Sequence, residues 1–140
     1  MTRLAAGLIC LALAGCGAAP AGQLQTVDAG AEFILAPGAT ASIQAAELRV
    51  RFVAVTEDSR CPRDTTCIWA GEVKGRFEIQ RGTRKSSAEI LEGGNTLAGE
   101  YRVTLVRVEP LPTSTARIAP QDYRATLKAD KAEMPDARER

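Results

Sequence analysis

The chain has 140 residues, 45% hydrophobic and 25% charged, a composition suited to one ordinary globular domain with short appendages. The formal net charge is +1, and basic residues alternate with acidic ones instead of clustering, which excludes the basic footprint of a nucleic-acid binder. Histidine is absent, removing the commonest general base and the commonest metal ligand, so a non-catalytic protein without metal or cofactor is expected.

Met1 to Cys16 comprises Met-Thr-Arg, an apolar run from Leu4 to Leu13, and Ala14-Gly15-Cys16. A basic start, a short apolar stretch and small residues at the cut describe a secretory signal peptide over residues 1–15. The apolar run is shorter than the ~20 residues that span a bilayer as a permanent helix. Leu13-Ala14-Gly15-Cys16 further resembles the lipobox of bacterial lipoproteins. That resemblance implies cleavage before Cys16, lipidation of its thiol, acylation of its new amine, and a bilayer as partner through the acylated residue. Cys10 lies in the same apolar run without small residues at the right offset and leaves with the peptide. Gly17, not Asp, follows Cys16. In a Gram-negative envelope this implies the outer membrane, with the domain facing the periplasm. Loss of Met1 to Gly15 removes Arg3 and no acid, leaving 17 basic and 17 acidic side chains.

Residues 16–31 hold the lipidated Cys and a segment rich in Ala, Gly, Gln and Pro, with Leu24 and Val27 as its only sizeable aliphatics. Such a segment buries too little to repay its ordering and reads as a flexible tether reaching on the order of 20 Å.

The body, residues 32–129, is a series of short alternating runs broken by turn formers, without helical periodicity. Glu32–Leu35 predicts a strand stopped by Pro37-Gly38, and Ala41–Gln44 a weak second one. Glu47–Thr56 is the strongest, with Leu48, Val50, Phe52 and Ala54 on one face and Arg49 and Arg51 on the other, which turns apolar at Val53 and Val55. Val73, Gly75, Phe77 and Ile79 alternate with Lys74, Arg76, Glu78 and Gln80, as in a one-sided antiparallel strand. Arg81-Gly82 makes the turn into Ser86–Leu91, and Gly93-Gly94-Asn95 is the next breaker. Tyr101, Val103 and Leu105 open a strand running to Val108, and Tyr123, Ala125, Leu127 and Ala129 form the last. About seven strands of this kind predict an all-β antiparallel sandwich, immunoglobulin-like or Greek-key, with a small closed barrel as the alternative. Residues 130–140 alternate in charge around Pro135 and read as a disordered tail.

Asp58 to Gly71 concentrates the unusual residues: Cys61, Cys67, the sole tryptophan Trp69, and a cluster of turn formers. In an exported chain the two remaining cysteines pair as a disulfide closing five residues. Less favoured are a zinc site completed by Glu57, Asp58 or Asp64, a redox dithiol, and a thiol nucleophile activated by Arg60 and Arg63. Asp58 and Ser59 are turn initiators that bond their own backbone, and Pro62 fixes a corner. Trp69 is expected to pack inward as core, and Arg60 and Arg63 to be solvated. The functional version of the loop displays Arg60, Arg63 and Asp64 to an envelope protein partner.

The string Asp58-Ser59-Arg60-Cys61-Pro62, four residues, then Cys67-Ile68-Trp69-Ala70-Gly71 resembles the signature of a family of small uncharacterised bacterial secreted proteins and lipoproteins. Tyr101-Arg102-Val103-Thr104-Leu105, Pro110-Leu111-Pro112 and Tyr123-Arg124-Ala125 fit the same layout, over Glu32 to Ala129. The resemblance implies an envelope address and no particular activity. The expected function is therefore a membrane-anchored envelope lipoprotein acting as a binding or structural module. An inhibitor or interaction module working through the Cys61–Cys67 loop is the alternative. A hydrolase using Glu57 with Asp58, or Glu72 with Glu78, ranks last, since neighbours on a strand point to opposite faces and the Glu72 strand shows its acids to solvent.

Overall fold

The computed structural model describes residues 22–133, so Cys16, the leader, the start of the tether and residues 134–140 lie outside it. Nine strands follow in order: β1 (Leu24–Val27), β2 (Glu32–Leu35), β3 (Thr40–Ile43), β4 (Leu48–Asp58), β5 (Val73–Arg81), β6 (Arg84–Leu91), β7 (Asn95–Ala98), β8 (Tyr101–Glu109) and β9 (Arg124–Lys131). They form a five-stranded sheet ordered β1-β3-β4-β5-β6 and a four-stranded sheet ordered β2-β9-β8-β7, packed face to face as a sandwich. The closed barrel is not formed.

The core follows from the period-two pattern of the central strands. Leu48, Val50 and Phe52 of β4 and Val73, Phe77 and Ile79 of β5 are buried, with Val50 facing Ile79 and Phe52 facing Phe77 across the ladder. The two phenylalanine rings stack at 5.2 Å between centroids. Gly75 makes this possible, because a Cβ there would lie 2.8 Å from the Phe77 ring. The second sheet meets them with Phe33, Leu35, Val103, Leu105, Val108, Ala125, Leu127 and Ala129.

The upper half of β4 departs from expectation. The register shifts between Phe52 and Ala54 and again between Val55 and Glu57. Such irregularities insert residues without cross-strand partners and break the alternation, so Val53, Ala54 and Val55 are each half-buried instead of filling two interiors.

Three boundaries also move. The expected tether is already strand at β1, which pairs in parallel with β3, Leu24 opposite Thr40 and Val27 opposite Ile43. No helical crossover is needed, because the chain passes through β2 in the other sheet between them. The expected tail begins inside β9, whose Asp130 and Lys131 pair with Arg102 and Tyr101. The breaker at Asn95 opens β7, four residues paired with β8.

Strand directions define two ends. β4 and β8 finish at one end and β5 and β9 begin there, so the connections 59–72 and 110–123 lie together. The turns 82–83 and 99–100 and the end of β9 lie at the other.

Candidate functional site

The loop between β4 and β5 continues their ladder before it opens. Ser59 N–H donates to Glu72 O at 2.8 Å, Glu72 N–H donates to the Ser59 hydroxyl at 3.1 Å, and Cys61 N–H donates to Ala70 O at 3.1 Å. Gly71 is obligatory in this neck: its φ is +68°, and a Cβ would lie 1.9 Å from Ser59 O. Above the neck, Cys61 and Cys67 form the expected disulfide, with Cα atoms 5.9 Å apart. Both thiols being used in that bond, the zinc and thiol-nucleophile readings lose their free sulfur. Among the described residues no group of three or more Cys, Asp or Glu converges to hold a metal.

Arg60 is not solvated, nor is it displayed. Its side chain is 7% exposed and makes a bidentate pair with Asp58, Nε to Oδ1 at 2.8 Å and Nη2 to Oδ2 at 2.7 Å. Nη1 donates to Val108 O at 2.6 Å and Nη2 to Pro110 O at 3.0 Å, so the guanidinium ties the loop to the end of β8. Glu92 stands 3.9 Å from Nη1 and accepts from Val108 N–H at 2.7 Å. Asp58 initiates a turn as expected, accepting from Arg60 N–H at 3.3 Å, but its carboxylate also accepts the Tyr123 hydroxyl at 3.0 Å.

The electrostatics follow from this cluster. Burial works to raise the Asp58 carboxyl, yet the Arg60 hydrogen bonds and charge, with the Tyr123 hydroxyl, outweigh it and hold the group below the ordinary value of 3.8. The bonds to Asp58 in turn raise Arg60 despite burial. Tyr123 is pushed up to about 12, by burial first and then by the hydrogen bond to Asp58.

Asp64 is also engaged. Its carboxylate accepts from Ser114 N–H at 2.9 Å and from the Ser114 hydroxyl at 2.6 Å, and these bonds lower its pKa. Arg63 N–H donates to Pro112 O at 3.0 Å while its side chain stays exposed. Of the three residues expected to form a recognition surface, Arg60 is withdrawn and fastens the loop to the end of β8, while Arg63 and Asp64 both stay exposed, Asp64 with its carboxylate on Ser114.

Beside Arg63 and Asp64 the loop displays large apolar side chains. Trp69, expected in the core, is 83% exposed, and Ile68 beside it is 94% exposed. Leu111, on the connection that the loop grips, is 54% exposed. The correction has a simple cause: a bridge closing five residues, followed at once by the neck, leaves no interior for an indole. The closeness of Cys67, Trp69 and Gly71 in the chain carried that signal, and the habit of burying aromatics hid it.

The candidate acids do not converge. Glu57 and Glu72 share Lys74, at 2.9 and 3.3 Å from its Nζ, and Glu78 pairs with Arg51 at 3.1 Å. Two open depressions lie elsewhere, one among Arg49, Arg51, Glu78 and Lys85 on the outer sheet face and one around Glu47, Arg81 and Gly99 at the far end. Neither includes a residue of the 59–72 loop.

Fold and site together describe a β-sandwich with a stapled, apolar-tipped loop at one end. A scan against protein-family models, a search of the curated proteins and a search of the solved structures found no match.

Proposed function

We propose that the chain is a lipid-anchored envelope lipoprotein that works by binding, without catalysis, through the sandwich end that carries the bridged loop. Leu13-Ala14-Gly15-Cys16 supports the anchor by its resemblance to a lipobox, and the disulfide suits an oxidising compartment. Gly17 after Cys16 implies, by the same resemblance, an outer-membrane address facing the periplasm if the cell is Gram-negative.

The observation that carries the binding function is the exposure of Ile68 and Trp69 on a loop held by a disulfide, a buried ion pair and the Asp64–Ser114 bonds. An indole has few rotatable bonds, and on a fastened loop it loses little entropy when it is covered, which suits it to recognition.

Two measurements test the proposal. Wild-type protein should incorporate labelled palmitate and fractionate with membranes, whereas Cys16→Ser should be soluble; a variant that stayed with the membranes would remove the anchor. A photo-crosslinking residue at position 69 should form adducts, to protein or lipid, in intact cells, and one at Arg49 on the outer sheet face should not. No adduct at position 69 would remove the binding surface.

A further inference from the structure

We infer that the surface Ile68 and Trp69 meet is the bilayer that holds the anchor, so the bridged-loop end docks on the membrane with Trp69 among the headgroups. This rests on the proposed lipid anchor and names the partner of its binding surface.

The topology supplies the first reason. β1 runs parallel to β3 and both run antiparallel to β4, so the chain preceding Leu24 departs toward the end where β4 finishes and the loop sits. The pairing also sets the height. Leu24 is level with Thr40, Arg51 and Glu78, five residues of β5 below Val73, or ~17 Å at ~3.3 Å per residue. The neck adds the rungs Ser59–Glu72 and Cys61–Ala70, a further ~10 Å on the same rise. Eight residue-to-residue steps lead from Cys16 to Leu24, a reach of at most ~26–29 Å. Only a leash near full extension spans that height, so the tether holds the loop end close against the anchor. A Cys16 held by its acyl chains brings the loop tip to the membrane surface and does not let the domain drift clear of it. The far end, where β9 finishes at Lys131 and Ala132 N–H donates to Glu100 O at 2.7 Å, then points away from the membrane.

The chemistry of the tip supplies the second reason. Indoles favour the membrane–water interface, where the ring is partly buried and its N–H stays hydrated. The loop that carries Trp69 also exposes the uncharged Thr65, Thr66, Ile68 and Ala70, and Leu111 is exposed on the connection that the loop grips. Of the loop's charges, Arg60 is buried against Asp58, while Asp64 stays exposed with its carboxylate hydrogen-bonded to Ser114. Arg63 remains exposed nearby, with a sign that suits anionic headgroups.

Because Trp69 is the only tryptophan, its fluorescence reports this contact directly. The mature Cys16→Ser chain carrying an N-terminal His tag would be tethered to phosphatidylethanolamine and phosphatidylglycerol vesicles containing nickel-chelating lipid. The lipidated wild-type protein would be reconstituted in the same vesicles without the chelator. Both should show emission blue-shifted from that of the free Cys16→Ser chain and strongly quenched by lipids brominated near the glycerol backbone. Emission in the tethered variant that matched the free chain and resisted quenching would overturn the inference. So would a blue shift that appeared only on adding envelope protein. The tethered arm needs no acylation, so a failed anchor shows in the Cys16→Ser fractionation and a failed docking in the quenching.

Discussion

The strongest test of the loop's construction is Arg60→Met, which keeps the aliphatic stem while removing the charge and all five donors. The substitution deletes four hydrogen bonds, two to Asp58 and one each to Val108 O and Pro110 O. It leaves the Asp58 carboxylate, 10% exposed, with only the Tyr123 hydroxyl and one long backbone contact. With side chains this buried on both partners, solvent screening removes little of the effect. Removing one member of a buried ion pair costs about 3–5 kcal/mol, mostly through the charge left behind. For a domain near this size ~1 kcal/mol corresponds to ~4 °C, so the melting temperature should fall by ~12–20 °C. Thermal melts of wild type, Arg60→Met, Asp58→Asn and the double variant would measure it. The double variant should be less destabilised than the sum of the singles by ~1–3 kcal/mol, since the two side chains share one network. Arg63→Met serves as the control, with an effect within ~0.5 kcal/mol. An Arg60→Met melt within ~2 °C of wild type, the size expected of a surface arginine, would refute a structural role for this residue.

Other outcomes follow from the same cluster. The folded-state pKa of Asp58 is depressed, so its contribution is complete above 3.8 and lost as pH falls through the lower folded value; Asp58→Asn should remove that part of the acid loss in pH-dependent melts. Tyr123 is shifted the other way, so its contribution holds below pH 10.0 and fades as pH rises toward about 12; the wild-type minus Tyr123→Phe absorbance titration should show phenolate forming only near the upper value. Replacing Cys61 and Cys67 together by Ser should cost ~2 kcal/mol with an unchanged far-ultraviolet spectrum, because the Arg60 and Asp64 bonds fasten the loop independently. Gly71→Ala should destabilise by more than the ~1–2 kcal/mol of a left-handed alanine, since its Cβ collides with Ser59 O; urea midpoints would measure this.

The sandwich was legible wherever a strand was long enough to show its period. β4 and β5 announce themselves through Leu48, Val50 and Phe52 against Arg49 and Arg51, and through Phe77 and Ile79 against Arg76 and Glu78. β1 and β7 were not legible, because each puts little into the core: their leucines, Leu24 and Leu97, are exposed, and glycines flank both segments. The same limit applies to Arg60. Its acceptors at Val108 and Pro110 lie 48 and 50 residues away, and an arginine in a turn reads as solvated until those carbonyls are brought beside it. The disulfide was legible because compartment and spacing act locally, whereas what it encloses was not.

The Asp58–Gly71 stretch therefore divides by role. Asp58, Ser59, Arg60, the two cysteines and Gly71 each have a contact or a conformation that explains them within the fold. Ile68 and Trp69 have none of comparable weight, being almost wholly in solvent. If folding were their purpose, replacing both by Ser would cost the ~3–5 kcal/mol of an emptied aromatic core site. With nothing packed over them it should leave the melting temperature within ~2 °C of wild type, while abolishing the adducts that a photo-crosslinking residue placed at Thr66 forms in cells. A large loss of stability would mean that Trp69 is core after all. Unchanged stability with lost contact is the result that separates a displayed side chain from a structural one.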